Sequence, residues 1–342
     1  MASTTILHDT ALAALADGDV IYLYFQASSG YLCEATLTPG QPQVAYTITN
    51  LRAADIKLYT PLAATFGKNT EERYIFYIDT DGILNNAVYK DDTWCRGFLR
   101  GQSITPAHYS KIAAVKSCVC DDEIHVFYQT TDRNGAIRQV TGYENRWVQD
   151  RRDLGSRVLT GTGLAAVHAE LGIDITTGTT ASNKPPVVFF QQTNLSLAWL
   201  QDTATRKVGG VVTKASPHTP LAATDAVSTN LKDVFLFFTS SANEIKRLAI
   251  GSDGQEVVST ELLTTTPKGN LAAVVRKSST NSTDAEIILF YQSINPPTIH
   301  QSTMSDDDGG NCVCKTRYTV TEYSGVAIFS DPEVDHIAMR FE

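Results

Sequence analysis

The chain has 342 residues, 42% of them hydrophobic, enough to bury one large core or two ordinary ones, which argues against disorder. Its 28 basic against 37 acidic residues give a formal net charge of −9, and no Lys/Arg run could neutralise a phosphate backbone, so nucleic acid is a poor partner. The opening MASTTILHDTALAALADGD lacks a basic stretch followed by a long apolar one, and no later segment approaches roughly eighteen uninterrupted apolar residues; the expectation is a cytoplasmic protein without a membrane span.

Taken in chain order, one short apolar phrase recurs: ALAAL at Leu12, PLAAT at Leu62, KIAAV at Ile112, GLAAV at Leu164, PLAAT at Leu221 and NLAAV at Leu271. The steps are 50, 50, 52, 57 and 50 residues, and a degraded copy, GVAIF, enters its apolar phase at Val326. A fixed period of this size signals a repeat architecture. Each phrase is followed by a run rich in β-branched and aromatic residues: VIYLYFQ, RYIFYID, IHVFYQT, VVFFQQ, VFLFFTS and IILFYQS. These are predicted strands. Polar or Gly-containing turns such as ASSG, DTDG and TDRNG lead into third extended runs, YLCEATL, ILNNAVY, AIRQVTG, SLAWLQ and EIKRLAI, and a weaker fourth follows around Trp94 and Trp147.

One unit is thus a four-stranded antiparallel meander of the size of a propeller blade. The expectation is a single all-β domain over 1–342, a six-bladed β-propeller of four-stranded antiparallel blades with the termini closing the ring; seven blades, the last one composite, is the alternative. The Ala-Ala pairs fit where inner strands converge on the axis and large side chains would collide. Two unrelated β-sandwiches would not produce six phased copies.

Of the six cysteines, Cys33 and Cys95 stand alone, whereas Cys118/Cys120 and Cys312/Cys314 form two C-V-C pairs. C-x-C is a weak zinc signal and reduced thiols are expected, with no metal. The sequons at Asn194 and Asn281 matter only in a secreted chain.

The repeat SKIAAV…EIHVFYQTTDRNGAIRQV…RWVQ, Ser110 to Gln149, resembles a blade of the fungal fucose-specific lectins, and the resemblance covers nearly the whole chain. It implies a six-bladed propeller with L-fucose between blades, each site drawing an Arg from a second strand, a Glu from a third, and a Trp from a fourth strand or a neighbouring blade. Carried over repeat by repeat, the arginine position holds Tyr22, Tyr74, His125, Val187, Phe235 and Ile288, and the glutamate position Glu34, Asn86, Gln139, Trp199, Arg247 and Gln301. Trp94 and Trp147 fit the tryptophan position; the fourth repeat offers Arg206 and the fifth something near Gln255. No repeat retains the full triad.

A sugar site needs fixed donors and acceptors, which Val, Phe or Ile in place of a guanidinium cannot supply, and a multivalent lectin keeps equal sites. The divergence resembles that of the hetero-Diels-Alderases of tropolone-sesquiterpenoid biosynthesis. That resemblance implies an enzyme without metal or organic cofactor. It would join a tropolone-derived o-quinone methide to a humulene-type sesquiterpene in one asymmetric pocket. Such chemistry needs a pocket, hydrogen-bond donors and a general acid, and the chain has no G-x-S-x-G, phosphate-loop, H-E-x-x-H or dinucleotide motif.

The candidate catalytic residues are His125, as a protonated acid, Tyr22 and Tyr74, as phenolic donors, and Arg247, as a cation for a tropolonate. The candidate substrate-binding residues are Trp94, Trp147 and Trp199, as apolar walls, and Gln139, Asn86, Glu34 and Arg206. Each has a structural competitor, strand packing for the aromatics and solvated strand faces for the charges. A second location is the axial channel, where His168 and Asp225 fall at equivalent positions of adjacent blades; a structural ion pair there is the stronger expectation. The alternative function is a lectin of altered specificity, and the sequence leaves open whether two chains form a homodimer.

Overall fold

The computed structural model of the chain describes residues 6–330 apart from 40–43, 49–50, 118–122, 133–134, 144–145, 156, 169–185, 202–203, 208–214, 226–233, 251–255, 264–269, 278–284, 294–297, 306–314 and 324–325. Within them lie six antiparallel sheets, each a meander in chain order.

The first blade is β1 (Ala13–Asp17), β2 (Val20–Gln26), β3 (Leu32–Leu37) and β4 (Val44–Thr47), the second β5 (Ala63–Phe66), β6 (Arg73–Ile78), β7 (Leu84–Lys90) and β8 (Thr93–Arg96). The third is β9 (Ile112–Lys116), β10 (Glu123–Gln129), β11 (Ile137–Tyr143) and β12 (Arg146–Leu154), and the fourth β13 (Ala165–Val167), β14 (Val187–Gln191), β15 (Leu197–Gln201) and β16 (Ala204–Lys207). The fifth is β17 (Leu221–Asp225), β18 (Val234–Thr239), β19 (Ile245–Ile250) and β20 (Glu256–Leu263). The sixth has five strands: β21 (Leu271–Lys277), β22 (Ala285–Ser293), β23 (Thr298–Ser305), β24 (Lys315–Tyr323) and β25 (Val326–Ser330).

The degraded seventh copy is therefore β25, added antiparallel to β24 at the edge of the sixth sheet and lying beside β4. It founds no seventh blade. At the other end Ile6 forms an isolated bridge to Ala27 rather than a strand of a composite blade.

The inner strands β1, β5, β9, β13, β17 and β21 touch in cyclic order, and β21 returns to β1. The Ala-Ala pairs make this approach possible. The first Ala of each pair (Ala13, Ala63, Ala113, Ala165, Ala222, Ala272) is buried in a seam between blades, and both members of every pair line an axial cavity of about 460 Å³. Each of the six seams holds its own apolar cluster, filled from strands two and three of both flanking blades.

In the first five blades a hydroxyl two residues before the Leu or Ile of the phrase ties the blade together from inside. Thr10, Thr60, Ser110, Thr162 and Thr219 accept the backbone N–H of Gln26, Ile78, Gln129, Gln191 and Thr239 at 2.7–2.8 Å. Three glutamines at the end of second strands then staple the next blade: Gln26 donates to Lys57 O (3.2 Å), Gln129 to Leu159 O (3.1 Å) and Gln191 to Ser216 O (3.0 Å). Gln292 of the last blade donates to Leu7 O at 2.9 Å, the same staple across the closing seam.

Candidate functional site

Strand register places the candidates. In every blade the first Ala of the phrase faces an aromatic on the second strand, which in turn faces one candidate on the third. The lines are Ala13–Tyr24–Glu34, Ala63–Phe76–Asn86, Ala113–Phe127–Gln139, Ala165–Phe189–Trp199, Ala222–Phe237–Arg247 and Ala272–Phe290–Gln301. Since side chains alternate along a strand, the residue two before the aromatic shares its face. That residue is Tyr22, Tyr74, His125, Val187, Phe235 or Ile288, so each blade offers one such pair to the seam with the blade that follows.

The candidates therefore lie in different seams and do not converge on one pocket. The seam between blades one and two gathers Tyr22, Glu34 and Trp94, together with Arg73, which the repeat comparison passes over. Arg73 Nη2 donates to Glu34 Oε1 at 3.2 Å and Nε to Oε2 at 3.4 Å, with Glu34 0% and Arg73 5% exposed. Its guanidinium carbon lies 4.0 Å from the Tyr22 ring centre, 3.8 Å from that of Tyr89 and 6.0 Å from that of Trp94. Burial opposes the charge on Arg73, but Tyr24, Glu34 and Tyr22 more than offset it and its pKa is raised. Burial and the Glu34 carboxylate push the Tyr24 phenol up well above its ordinary value.

Between blades two and three, Phe76 meets Trp147 edge-on at 5.7 Å and stacks with Tyr74 at 6.3 Å. Asn86 is 1% exposed and turned to the chain: its Oδ1 accepts the Leu99 N–H at 3.1 Å. A Cβ at Gly97 would fall 2.2 Å from that amide, so only glycine allows this approach. In this part of the molecule lies a cavity of about 580 Å³, lined by Tyr74, Val88, Ile124 and Phe98 together with Lys68, Glu72, Lys90, Asp91 and Arg96. Two of its cations form ion pairs, Lys90 with Glu72 at 2.5 Å and Arg96 with Asp55.

Between blades three and four, His125 Nδ1 accepts from Gln139 Nε2 at 2.8 Å, leaving the imidazole proton on Nε2, 3.9 Å from Glu123 Oε2. Burial, then the neighbouring His168, lowers its pKa to about 4. At neutral pH it is uncharged; it can accept a proton but holds no acidic one to deliver. His168 thus sits by His125 across this seam, and the axial cavity is lined by His218 instead. The Asp225 side chain lies outside the described residues.

Trp199, 2% exposed, is core between blades four and five, packed with Val187 and Phe189 against Leu236 and Leu248. Arg206 pairs with Trp199 in the β15–β16 ladder; its side chain, with Gln255, both C-V-C pairs and Asn281, lies outside the described residues. Between blades five and six the Arg247 guanidinium stands 5.1 Å over the Phe235 ring. Ile288 and Gln301 are buried in the closing seam, Gln301 Nε2 donating to Thr303 Oγ1 at 3.4 Å.

Cys33 is buried and Cys95 exposed, both reduced, and burial pushes the Cys33 thiol up to about 12. Among the described residues no group of three His, Cys, Asp or Glu side chains could hold a metal, and no helix is long and apolar enough to cross a membrane.

Residues 6–304 match the family described as fungal fucose-specific lectin. A fucose-specific lectin of Aspergillus oryzae is 28% identical over 231 residues, 64% of this chain and 68% of the relative. One of Aleuria aurantia is 27% identical over 172 residues, 48% of this chain and 54% of that lectin. Among solved structures, a triple arginine-to-alanine mutant of AofleA from Arthrobotrys oligospora superposes with a TM-score of 0.74 at 17% identity, covering 92% of this chain and 89% of that one. The six-bladed Aleuria aurantia lectin does so with a TM-score of 0.70 at 20% identity, covering 92% and 96%.

Proposed function

Because the chain belongs to the fungal fucose-specific lectin family, we propose that it is a member that has given up the repeated sugar sites and serves as a hetero-Diels-Alderase. The observation that carries this reading is the cavity of about 580 Å³ at Tyr74, because it opens at the register of an ancestral sugar cleft and sets a phenol and the apolar Val88, Ile124 and Phe98 among the charged Lys68, Glu72, Lys90, Asp91 and Arg96. Its size suits a small organic ligand. The other seams at this register are filled by core side chains, by the Arg73–Glu34 pair, or by a neutral histidine clamped by Gln139.

The reaction is redox-neutral. A hydroxymethyl tropolone loses its side-chain hydroxyl and its ring-hydroxyl proton as water, giving an o-quinone methide. That heterodiene adds across a humulene-type alkene, forming one C–C and one C–O bond of a dihydropyran. Tyr74 donates to the tropolone oxygen, lowering the energy of the diene, while Val88, Ile124 and Phe98 receive the terpene. Trp147, edge-on to Phe76, and Asn86, bonded to the Leu99 N–H, do not line it. His125, Tyr22 and Arg247 belong to other seams and take no part at this cavity.

Incubation with a hydroxymethyl tropolone and a humulene alcohol tests the reading. A dehydrated adduct formed faster than in buffer supports it, and an adduct formed at the buffer rate rejects it. A second reading, a lectin of altered specificity, is favoured by one feature: the first seam retains an Arg, a Glu and a Trp in Arg73, Glu34 and Trp94, although the arginine comes from the following blade.

A further inference from the structure

The polar side chains that line the axial cavity, those of Asp9, Lys111, His218 and Asn270, all stand just ahead of an inner strand, so they gather at one mouth of it. The other lining residues are Gly163 and residues of the Ala, Leu, Ile and Pro types. Asp9 is held by His8, whose Nδ1 lies 3.1 Å from its Oδ2. Lys111 has no such partner among the described residues. It opens the third blade, and the entry segments of its own blade and of the two that flank it, residues 57–62, 106–111 and 159–164, contain no Asp or Glu. The charge that acts on Lys111 is another cation, Lys57, whose Nζ donates to His108 O at 3.4 Å.

An amine is a nucleophile only in its unprotonated form, which desolvation and a neighbouring cation both favour. Lys111 has both, and burial first, then Lys57, lowers its pKa. The cavity beside it has the size of a small-molecule site, and beyond the mouth its lining side chains are aliphatic. His218 and Asn270 add hydrogen-bonding groups at the same mouth. We propose that the axial cavity captures a small aliphatic aldehyde, which Lys111 binds as an imine. The Nζ lone pair attacks the carbonyl carbon and the C–N bond forms. The carbonyl oxygen leaves as water with the two amine protons, so no oxidant or reductant is consumed. The site lies on the propeller axis rather than between two blades, and it does not depend on the reaction proposed for the cavity at Tyr74.

The full chain is tested with hexanal and cyanoborohydride at neutral pH, which fixes each imine as a stable amine, followed by peptide mass mapping over time. Lys111 is expected to be alkylated about ten-fold faster than any other lysine. Lys111→Arg keeps the charge and should leave only the slow labelling of the other lysines. Lys57→Met removes the neighbouring cation and should slow labelling at Lys111 several-fold, a change that a merely exposed lysine would not show; it is the second variant should the first not fold. Ala114→Leu narrows the cavity and should slow hexanal at Lys111 while leaving the smaller formaldehyde unaffected, which separates capture in the cavity from reactivity of the amine alone. Lys111 labelled no faster than the other lysines, a rate unchanged in Lys57→Met, or hexanal unaffected by Ala114→Leu overturns the proposal.

Discussion

Arg73 of the second blade and Glu34 of the first form a buried two-contact ion pair, 3.2 and 3.4 Å, within a cage of Tyr22, Tyr89 and Trp94. The pair fills its seam and locks two blades together. Breaking a buried pair leaves an uncompensated charge, so Arg73→Met is expected to cost about 3–5 kcal/mol. Replacing both members by apolar residues, Arg73→Met with Glu34→Leu, should recover most of that loss. Urea denaturation of the three proteins decides it: a double variant as unstable as the single one contradicts this account.

His125 makes stability depend on pH in a direction fixed by its lowered pKa of about 4 against 6.5 for the free side chain. Above 6.5 both folded and unfolded chains hold it neutral and it contributes no pH dependence. Between 6.5 and 4 the unfolded chain takes up the proton first, so stability falls with falling pH and the effect saturates below 4. The full effect is on the order of 3 kcal/mol. Burial shifts His300 the same way, so the measurement is the difference between wild type and His125→Gln, which should lose less stability from pH 7 to pH 4.5. Equal losses in both would show that His125 titrates normally.

The cavity at Tyr74 depends on Gly67, where a Cβ would meet Tyr74 Cε2 and Glu72 Cβ at 2.8 Å. Gly67→Val is expected to displace the phenol and block adduct formation, whereas Tyr74→Phe should keep the cavity and lower kcat about 100-fold through loss of a donor to the reacting oxygen. Rates measured with both substrates saturating separate the two effects. A wild-type kcat in Tyr74→Phe would move the donor elsewhere.

The closing seam rests in part on Gln292, whose Nε2 reaches Leu7 O as Gln26 reaches Lys57 O. Gln292→Leu removes one of the two bonds to Leu7 O, which keeps the Thr10 N–H, and should cost about 0.5–1.5 kcal/mol. Gln26→Leu should cost about as much but leave the ring closed. Hydrogen exchange locates the difference: amides around Leu7 and Leu271 should lose protection only in Gln292→Leu.

The blade phase was legible because it is written in residue size: Ala13 and its five equivalents sit where blades converge, and no larger side chain fits there. The same phase aligned Glu34, Asn86, Gln139, Trp199, Arg247 and Gln301, which do share one register line. Arg73 escaped because it stands one residue before the aligned Tyr74, and in a strand one residue flips the side chain to the preceding seam. The hydroxyls of Thr10, Thr60, Ser110, Thr162 and Thr219 stand two residues ahead of the Leu or Ile in five of the six phrases, but their targets lie a strand away. Neither the neutral state of His125 nor its neighbour His168 could be read from strand periodicity, since both arise from packing between blades.

Titration calorimetry with methyl α-L-fucoside tests the central claim most directly, that the former sugar clefts have become six chemically different seams. The account predicts no heat above dilution at millimolar ligand. Saturable binding, whether at one site or at several equal sites per chain, would contradict it.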